Sequence, residues 1–461
     1  MKTIDAIIRE SMSAYGNYVI HDRAVPGLED GLKPVQRRLL WTMHKLGLVP
    51  TGNFTKSAKV IGYTTAHWHP HGDAACYDAL VAMTHQRYPL VEGQGNFGTW
   101  TDSPAAMRYT EVRLTPLGHA MFECADVAPT QPNYLGESGE PVTLASRLPS
   151  LLVNGTEGIA VAVTCCVPPH NLKEVIGALR LLLRDNKATL KQVMRYIKGP
   201  DYEHGIITSK VSEIEDVYRS GKGTIHYRCH HTLTDTRLTV TSYAPHFNPT
   251  TFIQKCHAMV GVGDLLSVVD ETSESNGVRI VVEHNNIDTV NKRVLPMLST
   301  TVRYNFHTLT TGRDGASTLR SSGLVKMLRA FLAARRKTER AMLKLAAERA
   351  RQKLLEAEAL VKASGNMRLV AKALAGNKPV VDLAKGLKIS KKQAQGVLRA
   401  PLTALSARGR AKALANAEKL SGRISRIEEQ LADVNVVVAN KLDRLAAFAD
   451  DRKMDLGTSL P

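Results

Sequence analysis

The chain reads Gln94-Gly-Asn-Phe-Gly-Thr-Trp100 and, after a short polar link, Ala105-Ala-Met-Arg-Tyr-Thr-Glu-Val-Arg-Leu114. Gly93, Gly95 and Gly98 punctuate the first part, a spacing that lets backbone come close to a ligand. The second part sets Arg108 beside Tyr109, with Arg113 four residues on. A phenol ionises near pH ~10, so it becomes a useful nucleophile only where cations stabilise its oxyanion. Guanidinium groups do this, and they also grip phosphate with paired hydrogen bonds. The chemistry suggested is attack of Tyr109 on a phosphodiester. From the residue pattern alone, a half-buried tyrosine in a strand flanked by solvated arginines is the ordinary reading of the stretch.

Upstream, residues 54–85 read as helix, turn, helix. Lys56-Ser-Ala-Lys-Val-Ile-Gly62 leads to His67-Trp-His-Pro-His-Gly-Asp73, and Cys76, Tyr77, Leu80 and Met83 give the second helix one apolar face. Such a pair can lie against DNA. His67, His69 and His71 invite a metal reading, but Pro70 and Gly72 impose a turn and no carboxylate or thiolate cluster adjoins, so no metal ligand is assigned. Further back, the loop Asp22-Arg-Ala-Val-Pro-Gly-Leu-Glu-Asp-Gly-Leu-Lys33 ends at Pro34, a good first residue for a helix carrying Arg37 and Arg38 and closing near Gly47. That basic helix start is a natural phosphate grip, or a solvated helix end. Ile4, Ile7, Ile8, Met12, Tyr15 and Val19 recur at helical spacing.

Downstream, residues 115–150 are loop-rich. Gly158-Ile-Ala-Val-Ala-Val-Thr-Cys-Cys-Val-Pro-Pro-His-Asn171 then reads as a strand pair and a turn, in which a strand core is the default place for Ile159. A helix over about 172–185 follows, and residues ~200–310 alternate short β-rich runs with helices. From Leu324 the texture turns to Ala, Leu, Lys, Arg and Glu. The run Leu343, Ala346, Ala350, Leu354, Ala357, Val361 and the run from Ala413 to Leu445 predict two long helices, an antiparallel arm with a small globule between them.

Composition bounds the partners. Lys plus Arg exceed Asp plus Glu by 18 over 461 residues. Between Leu324 and Pro461 stand 29 basic and 13 acidic residues, a surplus of 16 that leaves 2 for residues 1–323. A polyanionic partner is implied. Six scattered cysteines without a Cys-x-x-Cys pair argue against a disulfide framework and fit a reducing cytoplasm. No signal pattern or apolar run of ~18 residues predicts secretion or a membrane span.

Four of these stretches, in this order, resemble the A subunit of type IIA DNA topoisomerases (the gyrase and topoisomerase IV A subunits and their phage equivalents). They are Arg23-Ala-Val-Pro … Asp30-Gly-Leu-Lys-Pro-Val-Gln-Arg-Arg38, His69-Pro-His-Gly-Asp73, Gln94–Gly98 with Ala105–Glu111, and Leu152-Val-Asn-Gly155 … Pro168-Pro-His-Asn171. The likeness is dense over residues 20–175 and thinner beyond. It implies an α+β multidomain fold: a winged-helix (helix-turn-helix) DNA-gate domain over 1–175 and an α/β tower domain over 176–323, opened by Ile214–Gly223. Residues 324–461 would form a long antiparallel coiled-coil arm with a small helical dimerisation globule, the C-gate, that includes Ser390–Arg399.

The resemblance also implies roles. Tyr109 would be the DNA-linking nucleophile, with Arg108, Arg23 and His71 as its catalytic companions. Lys33, Arg37, Arg38, Lys56, Lys59 and His69 would lie on DNA, and Ile159 would wedge between base pairs to bend the duplex. Gln36 stands where gyrase commonly has histidine, removing one polar contact. Ala74 and Asp78 fall on quinolone-sensing positions; Asp78 keeps the usual acid, whereas Ala74 lacks the usual hydroxyl, which predicts reduced drug sensitivity. No phosphate-binding Gly-x-x-x-x-Gly-Lys-[Ser/Thr] loop and no Glu…Asp-x-Asp cluster appear, so ATP and Mg²⁺ would be held by an ATPase/metal-binding B-type partner subunit. The partners implied are double-stranded DNA, that B-type protein and a second copy of the chain, in the cytoplasm of a cell or of a phage host. Part of the basic arm would line the hole that a second duplex crosses. The size is near that of the medium subunit of T4-type phage topoisomerases and leaves no room for a DNA-wrapping C-terminal domain, which favours relaxation and decatenation over supercoiling. The rival readings are a non-catalytic DNA-bridging relative and a tyrosine recombinase, whose Arg-His constellation is not recognisable here.

Overall fold

The computed structural model describes residues 3–99, 102–273, 275–311 and 317–457. It divides into two compact units, Met1–Arg335 with Lys441–Pro461, and Arg336–Asn440. Trp100, and with it part of the glycine-rich stretch, lies outside the described residues.

The first unit begins with α1 (Ile4–Val19), whose first turn is capped by Thr3 Oγ1 accepting from the Ala6 amide. A π-turn, Ile20–Ala24, follows and carries Arg23. Three helices come next: α2 (Pro34–Lys45), α3 (Ser57–His67) and α4 (Asp73–Thr84). Pro34 supplies the preset φ of the first turn. The Gln36 side chain accepts from the Lys33 amide at 3.0 Å, so the residue expected to weaken a DNA contact closes the helix start instead. Leu39, Leu40, Met43, Val60, Ile61, Leu80 and Met83 share the core between these helices. Each such burial contributes roughly 1.5–3 kcal/mol. Thr64 donates to Thr42 inside that core at 2.8 Å, which satisfies both buried hydroxyls. An antiparallel sheet of β1 (Thr55–Lys56), β2 (Val91–Gln94) and β3 (Glu111–Leu114) flanks the helices, with β3 central.

Beyond it, β4 (Thr130–Pro132) and β5 (Ser138–Pro141) form a hairpin. β6 (Thr156–Ala160) and β7 (Val163–Val167) form another, as the alternating sequence predicts. This second hairpin edges a six-stranded sheet that continues through Ser299–Asn305, Lys222–Arg228, Ile206–Ile207 and Asp455–Leu456. Tyr218, Tyr227, Tyr304 and Phe306 are fully buried there, and Tyr227 and Tyr304 share a hydrogen bond of 2.7 Å. A four-stranded sheet (His230–Leu233, Arg237–Ser242, Ile280–Glu283, Ser267–Asp270) completes the β-rich part.

Residues 441–457 belong to this first unit rather than to an arm. Asp450 accepts from Arg87 at 2.8 and 2.9 Å and from Tyr88 at 2.9 Å, Arg452 binds Glu174 at 3.1 Å, and Asp455–Leu456 pairs in parallel with Ile206–Ile207.

The long helix Leu324–Gly365 enters the second unit at Arg336, and there it runs antiparallel to Ala407–Ala432. Arg336 meets Asn435 and Arg351 meets Glu428, both at 2.7 Å, so partners descend in number as the first helix ascends. The second helix does not continue unbroken to Leu445: it stops at Ala432 and restarts at Val434. Asp433 leaves helical geometry, and its carboxylate accepts from the Asn435 amide at 3.0 Å, the usual competition of a short acidic side chain with the helix ladder. Between the long helices, Met367–Leu374, Pro379–Leu387 and Lys391–Arg399 enclose a core of Val370, Leu383, Leu387, Ala394, Val397 and Leu405.

Candidate active site and nucleic-acid interface

Tyr109 sits in a turn, not in a strand, and its side chain is 65 % exposed. The backbone around it is pinned across the start of α3. Ser57 N–H donates to the Thr110 carbonyl at 3.0 Å, Ala58 N–H to Met107 at 3.1 Å, and Tyr109 N–H to Ala106 at 2.8 Å. Tyr77 of α4 holds the other side, donating to the Ala105 carbonyl at 2.7 Å. The phenol thus projects outward from a fixed backbone. The Arg108 guanidinium lies over its ring, 4.7 Å from the centroid, in a cation–π contact.

Arg113 does not join them. It binds Glu92 through two hydrogen bonds of 2.8 and 2.9 Å, donates to the Gly52 carbonyl and covers the Phe54 ring, which fixes β3 to β2. The glycines of the 93–98 loop likewise serve internal packing. A side chain on Gly93 would run into the Phe97 ring at 2.4 Å, and Gly98 takes a φ of +86° beside the Asp102 carbonyl.

A second group forms around α2 and the turn before α4. Arg38 donates to Glu140 at 2.7 Å and to His69 Nδ1 at 2.8 Å. His69 is buried, and burial, with Arg38 and His71 adding to it, pushes its pKa down to about 4. It is therefore a neutral acceptor for Arg38. His71 is exposed; its ring packs edge-on against His69 at 4.4 Å and its Nε2 lies 2.6 Å from the Tyr18 hydroxyl. Arg23 is exposed on its π-turn, and Lys59 on α3. Lys56 pairs with Glu111 at 2.9 Å. Ala74 and Asp78 are exposed one turn apart on α4. No hydrogen bond or ion pair among the described residues joins Tyr109 and Arg108 to the His71 group.

Arg37 has a different task from the one its position suggests. Its Nε and Nη2 clasp Asp30 at 2.7 and 3.0 Å, and Nη2 also donates to the Leu32 carbonyl at 3.0 Å. Asp30 is buried and accepts further from the Leu32 and Leu144 amides at 3.1 and 2.8 Å. This pair ties the loop before α2 to the chain near residue 144. In this structure Arg37, expected on DNA, is held in an ion pair with Asp30.

Lys33 is half-buried and donates to the Glu157 carbonyl; burial lowers its pKa. Glu157 in turn pairs with His246 at 2.9 Å, which holds its carboxyl low and raises the imidazole. Lys33 and Glu157 line a cleft of about 390 Å³ together with Gln36, His85, Arg87 and Tyr202. The signal for this cleft in the sequence is weak, because its walls come from segments far apart in the chain.

Ile159 is 83 % exposed, on the β6–β7 hairpin, which overturns the strand-core default. Gly158 permits this: a Cβ there would lie 2.1 Å from the Ala24 carbonyl oxygen, so only glycine lets the hairpin rest against the π-turn of Arg23. The hairpin turn holds Ala162 at a φ of +62°.

The frame is mixed α/β, and it presents an arginine-covered tyrosine beside α3 and α4. The profile of the DNA gyrase/topoisomerase IV family, in its A-subunit form, matches residues 23–443, and the chain belongs to that family. It is 34% identical over 465 residues to the A subunit of DNA topoisomerase 4 from Salmonella typhimurium, covering 96% of this chain and 61% of the relative. It is 36% identical over 480 residues to the A subunit of DNA gyrase from Mycolicibacterium smegmatis, covering 97% and 55%. A segment of 294 residues is 40% identical to the A subunit of DNA gyrase from Thermotoga maritima, covering 61% of this chain and 37% of the relative. The chain spans well under two thirds of the length of these relatives.

Proposed function

We propose that this chain is the DNA breakage-reunion subunit of a type IIA topoisomerase. The observation that carries the reading is the exposed Tyr109 hydroxyl, set on a pinned backbone with the Arg108 guanidinium over its ring. In this reading the Tyr109 oxygen attacks a backbone phosphorus and the P–O3′ bond breaks. The phenolic proton leaves as the P–O bond forms, the 3′-hydroxyl departs, and a 5′-phosphotyrosyl link remains. The reverse attack of the 3′-hydroxyl reseals the strand, and two Tyr109 residues on opposite strands make a double break.

Arg108 stabilises the phenolate; Arg23 and the exposed imidazole of His71 act on charge developing at the phosphate oxygens. Lys33, Lys56 and Lys59 neutralise flanking phosphates. Arg38 and His69 act together, with His69 taking a hydrogen bond from Arg38 and backing His71. Ile159 wedges into the stack, unstacking at a cost of a few kcal/mol that wrapped contacts offset. Helices α2–α4 with the β1–β3–β2 sheet and the β6–β7 hairpin act as a winged-helix gate, the strands and helices of residues 176–323 as a tower, and the long helix pair as a coiled-coil arm.

Phosphoryl transfer at DNA generally uses a divalent ion. Among the described residues no three His, Cys, Asp or Glu side chains gather to hold one. In this reading Mg²⁺ is held mainly by a B-type partner, which also binds ATP. Dimerisation would use the globule of the second unit, where Leu374 and Leu402 stand exposed. Among the described residues no helix is long and apolar enough to cross a membrane.

Covalent trapping tests the reading. The chain, a B-type partner, supercoiled DNA and Mg²⁺ are quenched with detergent, wild type against Tyr109→Phe. A protein–DNA adduct and linear DNA with wild type alone support it; binding without adduct, where a control topoisomerase cleaves, leaves a bridging protein.

A further inference from the structure

The last turn of α1 touches the site at two points. Gly16 and Val19 are the helix's buried residues, and a Cβ on Gly16 would lie 3.6 Å from that of Val161 in the β6–β7 turn. Tyr18, between them, reaches across 53 positions of sequence to place its hydroxyl 2.6 Å from His71 Nε2, with the rings tilted at 48°. A single neutral hydrogen bond between solvent-accessible groups contributes little to folding. Its effect falls on the imidazole it orients.

We propose that Tyr18 is a positioning residue for His71 in strand cleavage. The proposal rests on the reading of His71 as a donor to the phosphate in the transition state. A neutral imidazole carries one N–H and one lone pair, and the partner of one nitrogen decides which is which. A phenol is the better donor of the pair, so Tyr18 donates to Nε2 and the proton of His71 resides on Nδ1. His69 blocks the other side of the ring edge-on at 4.4 Å, and is itself fixed by Arg38 at 2.8 Å. Held from both sides, His71 has its tautomer and its ring plane set before DNA arrives, and Nδ1–H is the donor left for a phosphate oxygen. Without the Tyr18 hydroxyl the tautomers interchange and the ring turns, so cleavage slows while DNA binding, which relies on lysines and arginines, does not.

Two measurements test this on the full chain. In histidine ¹⁵N-labelled protein without DNA, the ring ¹⁵N shifts of His71 report the Nδ1–H tautomer in wild type and a mixture in Tyr18→Phe. With the B-type partner, Tyr18→Phe slows covalent-complex formation at saturating DNA by roughly three- to tenfold, the span of one neutral hydrogen bond. The DNA Kd stays within about twofold, and Tyr18→Phe adds no further slowing in a His71→Ala background. An unchanged tautomer, an unchanged rate, or equal slowing with and without His71 overturns the proposal. Tyr109→Phe in the same assay separates the two ideas: an adduct that survives that substitution sinks the nucleophile assignment, whereas the tautomer measurement judges Tyr18 independently of it.

Discussion

Replacing Arg37 by methionine asks whether this arginine serves the fold or the DNA. The side chain is 12% exposed and its partner Asp30 is fully buried, with all four hydrogen bonds of that carboxylate satisfied from within the protein. Methionine keeps the bulk of the stem but removes two of the four donors and the compensating charge. Stranding a buried carboxylate costs about 3–5 kcal/mol. The Leu32 and Leu144 amides remain, which places the expected loss near the lower figure. Urea denaturation followed by fluorescence, with Trp41 and Trp68 buried near this core, measures it. Neutralising Asp30 as well, as Asp30→Asn with Arg37→Met, should recover part of the loss because no bare charge is then buried. The exposed Lys59 gives the contrast: Lys59→Ala should change stability by under about 0.5 kcal/mol and lower the salt dependence of DNA affinity by about one unit of slope. An Arg37→Met protein that loses less than about 1 kcal/mol yet shows the reduced salt slope would refute the structural assignment.

Other perturbations have defined directions. Gly158→Ala must push the hairpin off the Ala24 carbonyl, so it should cost about 1–3 kcal/mol and speed amide exchange at residues 20–25 and 156–160. Ala162→Gly removes a left-handed alanine and should stabilise the chain by up to about 1 kcal/mol in the same urea titration. The His246–Glu157 pair is fully charged above the unfolded carboxyl value of 4.5 and below the unfolded imidazole value of 6.5. Its contribution is lost as pH rises through the raised His246 value, and also as pH falls through the lowered Glu157 value. Both groups are near half exposed, so the amplitude is below about 1 kcal/mol, and His246→Gln should flatten the fall in stability as pH rises above 6.5. Ala74→Ser restores a hydroxyl on the exposed face of α4 and should increase quinolone-stabilised cleavage; no gain in linear DNA would remove the drug-site reading.

What could be read in the sequence is what is encoded locally. Pro34 announces α2, the 3.6-residue recurrence of small and aliphatic residues announces the long helices, and the run between Gly158 and Pro168 announces a hairpin. The motif around Tyr109 led to the family, yet its surroundings were only half legible. Arg113 is near Tyr109 in sequence, but its partner Glu92 lies on the neighbouring strand, so only the sheet register reveals that it is engaged. Arg37 looks like a surface cation because Asp30 becomes a buried anion only when Leu144 closes over it. His69 and His71 alternate in a polar turn, and nothing in their spacing tells which one Arg38 covers. The return of residues 441–457 leaves almost no local trace: a two-residue parallel strand and a few charged side chains have meaning only beside Arg87, Glu174 and Ile206.

That return has a consequence for how the chain is made. The first unit is left at Arg335 and re-entered at Lys441, so it remains unfinished while the whole second unit is synthesised. At roughly 5–20 residues per second, the interval from residue 335 to residue 457 lasts about 6–25 s. During that time Arg87 has Asp201 but not Asp450, and Glu174 lacks Arg452. A nascent chain passes through a stage in which Tyr109 and helices α2–α4 already exist while the six-stranded sheet lacks its edge strand, and the emergence of residues 450–456 supplies it.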